Sequence, residues 1–187
     1  MHFSSLMAGA AKLLVLLSIG FSANATDPVI LKTGREIYAS LASLTGVSEK
    51  DPDVYQLYLQ NIGRLPKQGL PAELSSNVVL ATTELGGLFC QKAVQRERAQ
   101  PASQRMIFRA VDFASGPGQF DDYKKGIVLD DLAIAFWQRD ATDAEKQALS
   151  SALDAAAKGA SGSADQTAKV IQIMCTIYAT SLATLVR

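Results

Sequence analysis

Apolar residues recur along this chain every three or four positions, and no segment sustains the period-two alternation of a strand. The pattern predicts an all-α fold, a compact bundle of six or seven helices. "TGREIYASLASLTG" opens with Thr33 and Glu36 at the spacing of a capping box, sets Ile37, Leu41 and Leu44 on one face, and ends at Gly46. "DPDVYQLYLQNIGRLP" offers Asp51 as a cap and Pro52 at the first helical position. Val54, Leu57, Tyr58 and Ile62 form its face, and Gly63 and Pro66 close it. "GLPAELSSN" is turn-rich, with a helical turn placed after Pro71. A long helix then runs from about Asn77 to Gln95 or beyond, with Val78, Ala81, Leu85, Phe89 and Lys92 on its core side.

The spacing predicts a further helix over "PASQRMIFRAVDFA", with Met106, Ile107, Ala110 and Val111 inward. "SGPGQF" is the strongest breaker. "LDDLAIAFWQRD" reads as a short helix around Leu132, Ala135 and Phe136. "TDAEKQALSSALDAAAKG" repeats the capping box with Thr142 and Glu145 and ends at Gly159. "GASGSAD" is a flexible link, and the last helix runs from about Ala164 to the C-terminus. Gln172, Thr176, Thr180 and Thr184 make a polar stripe on it, opposite Ile171, Met174, Cys175, Tyr178, Leu182 and Leu185. No charge falls between Lys169 and Arg187, but the stripe favours a core helix over a membrane tail.

Residues 1–25 have the order of a secretory signal: Lys12, the apolar run "LLVLLSIGF", then "SANA" with Ala23 and Ala25 before the cut. The run is shorter than the roughly 20 apolar residues a spanning helix needs. The alternative is an uncleaved anchor, which would be the chain's only membrane contact. Residues 26–187 are then a single helical domain. Export changes the meaning of the two cysteines, Cys90 in "GGLFCQKAV" and Cys175 in "IQIMCTIYA". An exported chain with two cysteines usually pairs them, and the predicted staple is Cys90–Cys175. Thr83, Gly86 or Gly87, Cys90 and Val94 line up at steps of three and four. A glycine one turn before Cys90 admits the close approach that a disulfide needs. The alternative is two buried thiols that fill space.

Charge excludes more than it suggests. Without residues 1–25, 17 basic residues face 18 acidic ones, and no basic run is present, which argues against nucleic acid as a partner. The one histidine, His2, lies inside the predicted signal. Residues 26–187 therefore lack histidine nucleophile activators, general bases and metal ligands. Two cysteines do not make a four-thiolate zinc site, and "GPG" lacks the lysine and spacing of a phosphate loop. No catalytic, cofactor-binding or metal-ligating residue is assigned. The weaker candidates are the acidic pairs Asp121–Asp122 and Asp130–Asp131 around "YKKG", as oxygen ligands or a carboxylate acid–base pair. Against this, Asp130 is expected to cap the next helix. Ser115, Ser161 and Ser163 lie in Gly-rich stretches with no base nearby in sequence. Tyr55, Tyr58 and Trp137 would be an aromatic cleft or, more commonly, core. Arg96, Arg98 and Arg105 are expected to solvate a helix–helix junction.

"LKTGREIYASLASLTGV", "FWQRDATDAEKQAL" and "ATSLATLVR" together resemble the helical domains of large exported proteins of planctomycetes and related bacteria. The first is similar to their opening helix. The second is similar to their aromatic-x-Arg, Thr-x-x-Glu junction, with Arg139, Thr142 and Glu145 in place, and the third to their final helix. The resemblance implies an exported helical domain and no catalytic residue. Relatives of that kind are often fused to haem-binding cytochrome modules, and no C-x-x-C-H motif occurs here. The leading expectation is a non-enzymatic, periplasmic or secreted subunit that binds a protein partner in the cell envelope. The alternatives are a small-ligand carrier lined by Met106, Phe108, Phe136 or Trp137, and a hydrolase using carboxylates alone.

Overall fold

The computed structural model describes residues 30–68, 75–158 and 162–186. The signal at 1–25, the turn after Pro71, the stop at Gly159 and Ser161 lie outside them. The described residues form seven α-helices: α1 Gly34–Thr45, α2 Pro52–Asn61, α3 Ser76–Arg98, α4 Asp122–Trp137, α5 Asp143–Lys158, α6 Ala164–Ala179 and α7 Leu182–Leu185. An antiparallel bridge joins Leu31 to Val186.

Local chemistry starts α1, α2 and α5 where the sequence placed it. The Thr33 N–H donates to Glu36 Oε2 at 2.7 Å, and the Glu36 N–H donates back to Thr33 Oγ1 at 3.3 Å. Thr142 and Glu145 repeat the exchange at 2.8 and 3.3 Å. Asp51 accepts from the N–H groups of Asp53 and Val54 ahead of Pro52. Gly46 ends α1 at φ 65°, a left-handed position that glycine takes without strain.

Two helices carry the packing. α6 lies against α3, α4 and α5, while α3 also takes α1 and α2 on its other sides. Leu85, Phe89, Ile171, Met174 and Tyr178 are fully or almost fully buried where these helices meet. Cys90 and Cys175 are bonded here, with an S–S distance of 2.05 Å and Cα atoms 5.7 Å apart. The glycine that permits the approach is Gly86. A Cβ there would lie 2.6 Å from Thr180 Cγ2, whereas one at Gly87 would meet nothing within 4 Å.

The structure corrects the sequence reading in five places. Residues 101–113 are not an α-helix; only Ala102–Gln104 make a 3₁₀ turn. The buried Glu97 carboxylate accepts the N–H groups of Ile107 and Phe108 at 3.1 and 2.9 Å. The Arg105 guanidinium donates to the carbonyls of Glu97, Gln100, Phe108 and Val111. These backbone groups are thereby taken from any helical ladder. Ile107 and Val111 are buried, but Met106 points outward at 48% exposure.

Arg105 is consequently a structural hub at 9% exposure, not a solvating residue, and it also stacks on the Phe113 ring at 5.0 Å. Arg96 reaches the Thr45 and Gly46 carbonyls at 2.9 and 2.6 Å, which closes the end of α1. Arg98 pairs with Asp165 at 2.7 Å.

The last helix is broken, with α6 ending before Thr180 and α7 starting after Ser181. The Ser181 and Thr184 hydroxyls both donate to the Tyr178 carbonyl at 2.8 Å, competing with the helical ladder. The fourth helix is longer than expected, because Asp121 accepts from the Lys124 N–H at 2.8 Å and starts α4 ahead of "YKKG". Asp130 therefore sits inside a helix and caps nothing. Finally, Ile62 is 49% exposed and does not belong to the inner face of α2.

Candidate interaction surface

α2 buries Val54, Tyr58 and Asn61. Tyr58 stacks on Tyr38 with ring centroids 4.4 Å apart, and Tyr38 meets Phe89 edge-on at 5.5 Å. The next apolar residues round the helix, Tyr55, Leu59 and Ile62, are 50%, 42% and 49% exposed. Steps of four and three place them on one flank. The apolar arc of α2 is wider than the arc that the core covers. The sequence carries this signal in the four- and three-residue steps, but assigning Ile62 to the core hides the flank, and Leu59 lies off the face that periodicity favours.

The flank sits on a fixed support. Lys92 of α3 pairs with Asp51 at 3.3 Å and also with Asp53 at the start of α2. Arg64, just past its end, pairs with Glu84 of α3 at 2.8 Å. Both ends of α2 are thus tied to the same neighbour, and the exposed side chains stand on a positioned helix.

The acidic candidates have structural partners. Asp121 caps α4. Asp122 pairs with Lys125 at 2.8 Å, and that hydrogen bond holds its carboxyl below the usual carboxylate range. Asp130 pairs with Lys146 of α5 at 2.9 Å. Asp131 differs: burial pushes its carboxyl up, with Arg109 opposing and Asp130 adding to the shift. It lines a crevice together with Ile107, Phe108, Ala110, Val111, Val128 and Leu132. The crevice is too narrow to take a water molecule. Of the four residues proposed to line a carrier cavity, Phe108 alone reaches it. Among the described residues no three His, Cys, Asp or Glu side chains gather as metal ligands.

The structure separates the aromatic residues proposed as a cleft. Tyr58 belongs to the Tyr38–Phe89 cluster, Tyr55 faces solvent, and Trp137 packs on Tyr178 at 4.6 Å. The groups around Trp137 are bound to one another. Its Nε1–H donates to Ser181 Oγ at 2.6 Å. The Arg139 guanidinium lies 5.0 Å over its ring and donates to both Glu145 oxygens, at 2.7 and 2.9 Å. Arg139 pulls the Glu145 carboxyl down to about 2, against the opposing effect of burial. The "FWQRDATDAE" motif thus closes the corner between α4 and α5. Ser115 is tied to Asp112, and its carbonyl accepts the Thr167 hydroxyl at 2.6 Å.

Among the described residues no helix is long and apolar enough to cross a membrane. Comparison with family models, with curated proteins and with solved structures finds no match to this chain.

Proposed function

We propose that this chain is an exported helical protein that works by binding another protein of the cell envelope through the outer flank of α2. The observation that carries this reading is the row Tyr55, Leu59 and Ile62, about half exposed on a helix tied down at both ends. An ordered apolar row costs solvation unless something covers it. The Cys90–Cys175 bond supports an oxidising address, and the order of charge, apolar run and small residues in 1–25 supplies the route there.

The reading is tested by placing a photo-crosslinking amino acid at Tyr55, Leu59 or Ile62 in the producing cell, with exposed Gln147 of α5 as control. A discrete adduct from the α2 positions and none from Gln147 is the expected result. Leu59→Asp should abolish it while leaving the unfolding midpoint in place. Equal labelling at all four positions would overturn the assignment.

A further inference from the structure

Cys90 and Cys175 are both fully buried. Their bond joins α3 to α6, the helix that packs on α3, α4 and α5 together. The approach leaves no slack, because the Thr180 side chain occupies the space a Cβ at Gly86 would need. Thiol–disulfide exchange requires a thiolate to reach a sulfur directly. In the folded chain the packed core blocks that path. We infer that the bond is made by a disulfide-bearing oxidant acting before α6 docks, and that afterwards it exchanges with thiols only when the α3–α6 core opens.

The electron balance is simple. One cysteine thiolate attacks the oxidant's disulfide and expels one of its sulfurs as a thiolate, leaving a mixed disulfide. The second cysteine thiolate attacks the chain's own sulfur in that mixed disulfide and expels the oxidant's other sulfur. The oxidant leaves as a dithiol, carrying the two electrons and the two protons. Cys175 lies 85 positions after Cys90, in the last long helix, so a chain lacking α6 offers Cys90 alone. The oxidant's window therefore lies between the arrival of α6 and its docking. This inference does not depend on the α2 docking surface.

The test is the rate at which dithiothreitol reduces the bond in the full oxidised protein. In native buffer the rate should be roughly a thousandfold or more below that in concentrated guanidinium, following the small open fraction. Sub-denaturing urea should raise it with the slope of global unfolding. Gly86→Ala should raise it roughly tenfold in native buffer and leave it unchanged in guanidinium. Reduction in native buffer within about tenfold of the denatured rate, or a rate indifferent to urea, would overturn the inference.

Discussion

A methyl group on Gly86 would lie 2.6 Å from Cγ2 of Thr180, the residue just past the end of α6. Its neighbour Gly87 faces open space, with nothing within 4 Å of the point where a Cβ would stand. The two glycines therefore have opposite expected effects. Gly86→Ala should destabilise by about 1–3 kcal/mol, because the clash sits beside the disulfide where neither helix can shift. Gly87→Ala should stabilise by about 0.5–1 kcal/mol, as helix propensity gains with no steric cost. Urea denaturation of the two variants, side by side, measures both.

The Arg139–Glu145 pair predicts an acid limb. Glu145 titrates near 2 in the fold against 4.5 as its ordinary value. A carboxyl lowered by folding contributes stability that is complete above its unfolded value and lost as pH falls toward the folded one. The loss should fall between about pH 5 and pH 2. Linkage alone would give ~3 kcal/mol, and solvent around the 37%-exposed Arg139 brings this nearer to 1–2 kcal/mol. Glu145→Gln should remove that portion of the limb, read as unfolding free energy against pH.

Asp131 should act with the opposite sign. Folding raises its carboxyl, so its ionised form opposes the folded state, and the penalty grows as pH rises through the unfolded value and levels off above the folded one. Asp131→Asn should stabilise the protein at neutral pH, because the amide carries no charge to be desolvated. At pH well below the unfolded carboxyl value of 3.8 the gain should vanish. A loss of stability at neutral pH would show that Asp131 has a partner whose attraction outweighs burial.

Replacing both cysteines by alanine releases a loop of 85 residues' separation. The chain-entropy model assigns about 4–5 kcal/mol to that constraint, as an upper value. At roughly 2–4 °C per kcal/mol for a domain of this size, the melting temperature should drop by about 10–15 °C. Calorimetry of the double variant against the oxidised protein decides it.

Features encoded within a few residues are legible in the sequence. Thr33 with Glu36, and Thr142 with Glu145, need only the three-residue step of a capping box, and both form. Asp51–Pro52 needs no more. The staple is legible because two cysteines leave one pairing. Residues 101–113 are not, because Met106, Ile107, Ala110 and Val111 fit a helical face while the deciding groups are elsewhere. Glu97 belongs to the preceding helix, and Arg105 spends its donors on four carbonyls. The break at Thr180–Ser181 is hidden for a related reason: a serine beside a polar stripe does not announce that Trp137, 44 positions away, will bond it. On the candidate surface, amphipathicity gives the apolar arc of α2 but not how much of it α1 and α3 cover.

Glu97 and Arg105 shape residues 101–113 by addressing main-chain groups almost exclusively. Main-chain groups are the same whatever side chain hangs from them. The stretch is thus insulated from drift: its exposed positions can exchange residue types over evolutionary time while the path of the chain stays put. The two charged residues cannot, and neither can the buried Ile107, Phe108, Val111 and Phe113 that fill the core. A lysine at 105 has no planar fork to span four carbonyls, so even that mild exchange should let the whole segment come loose.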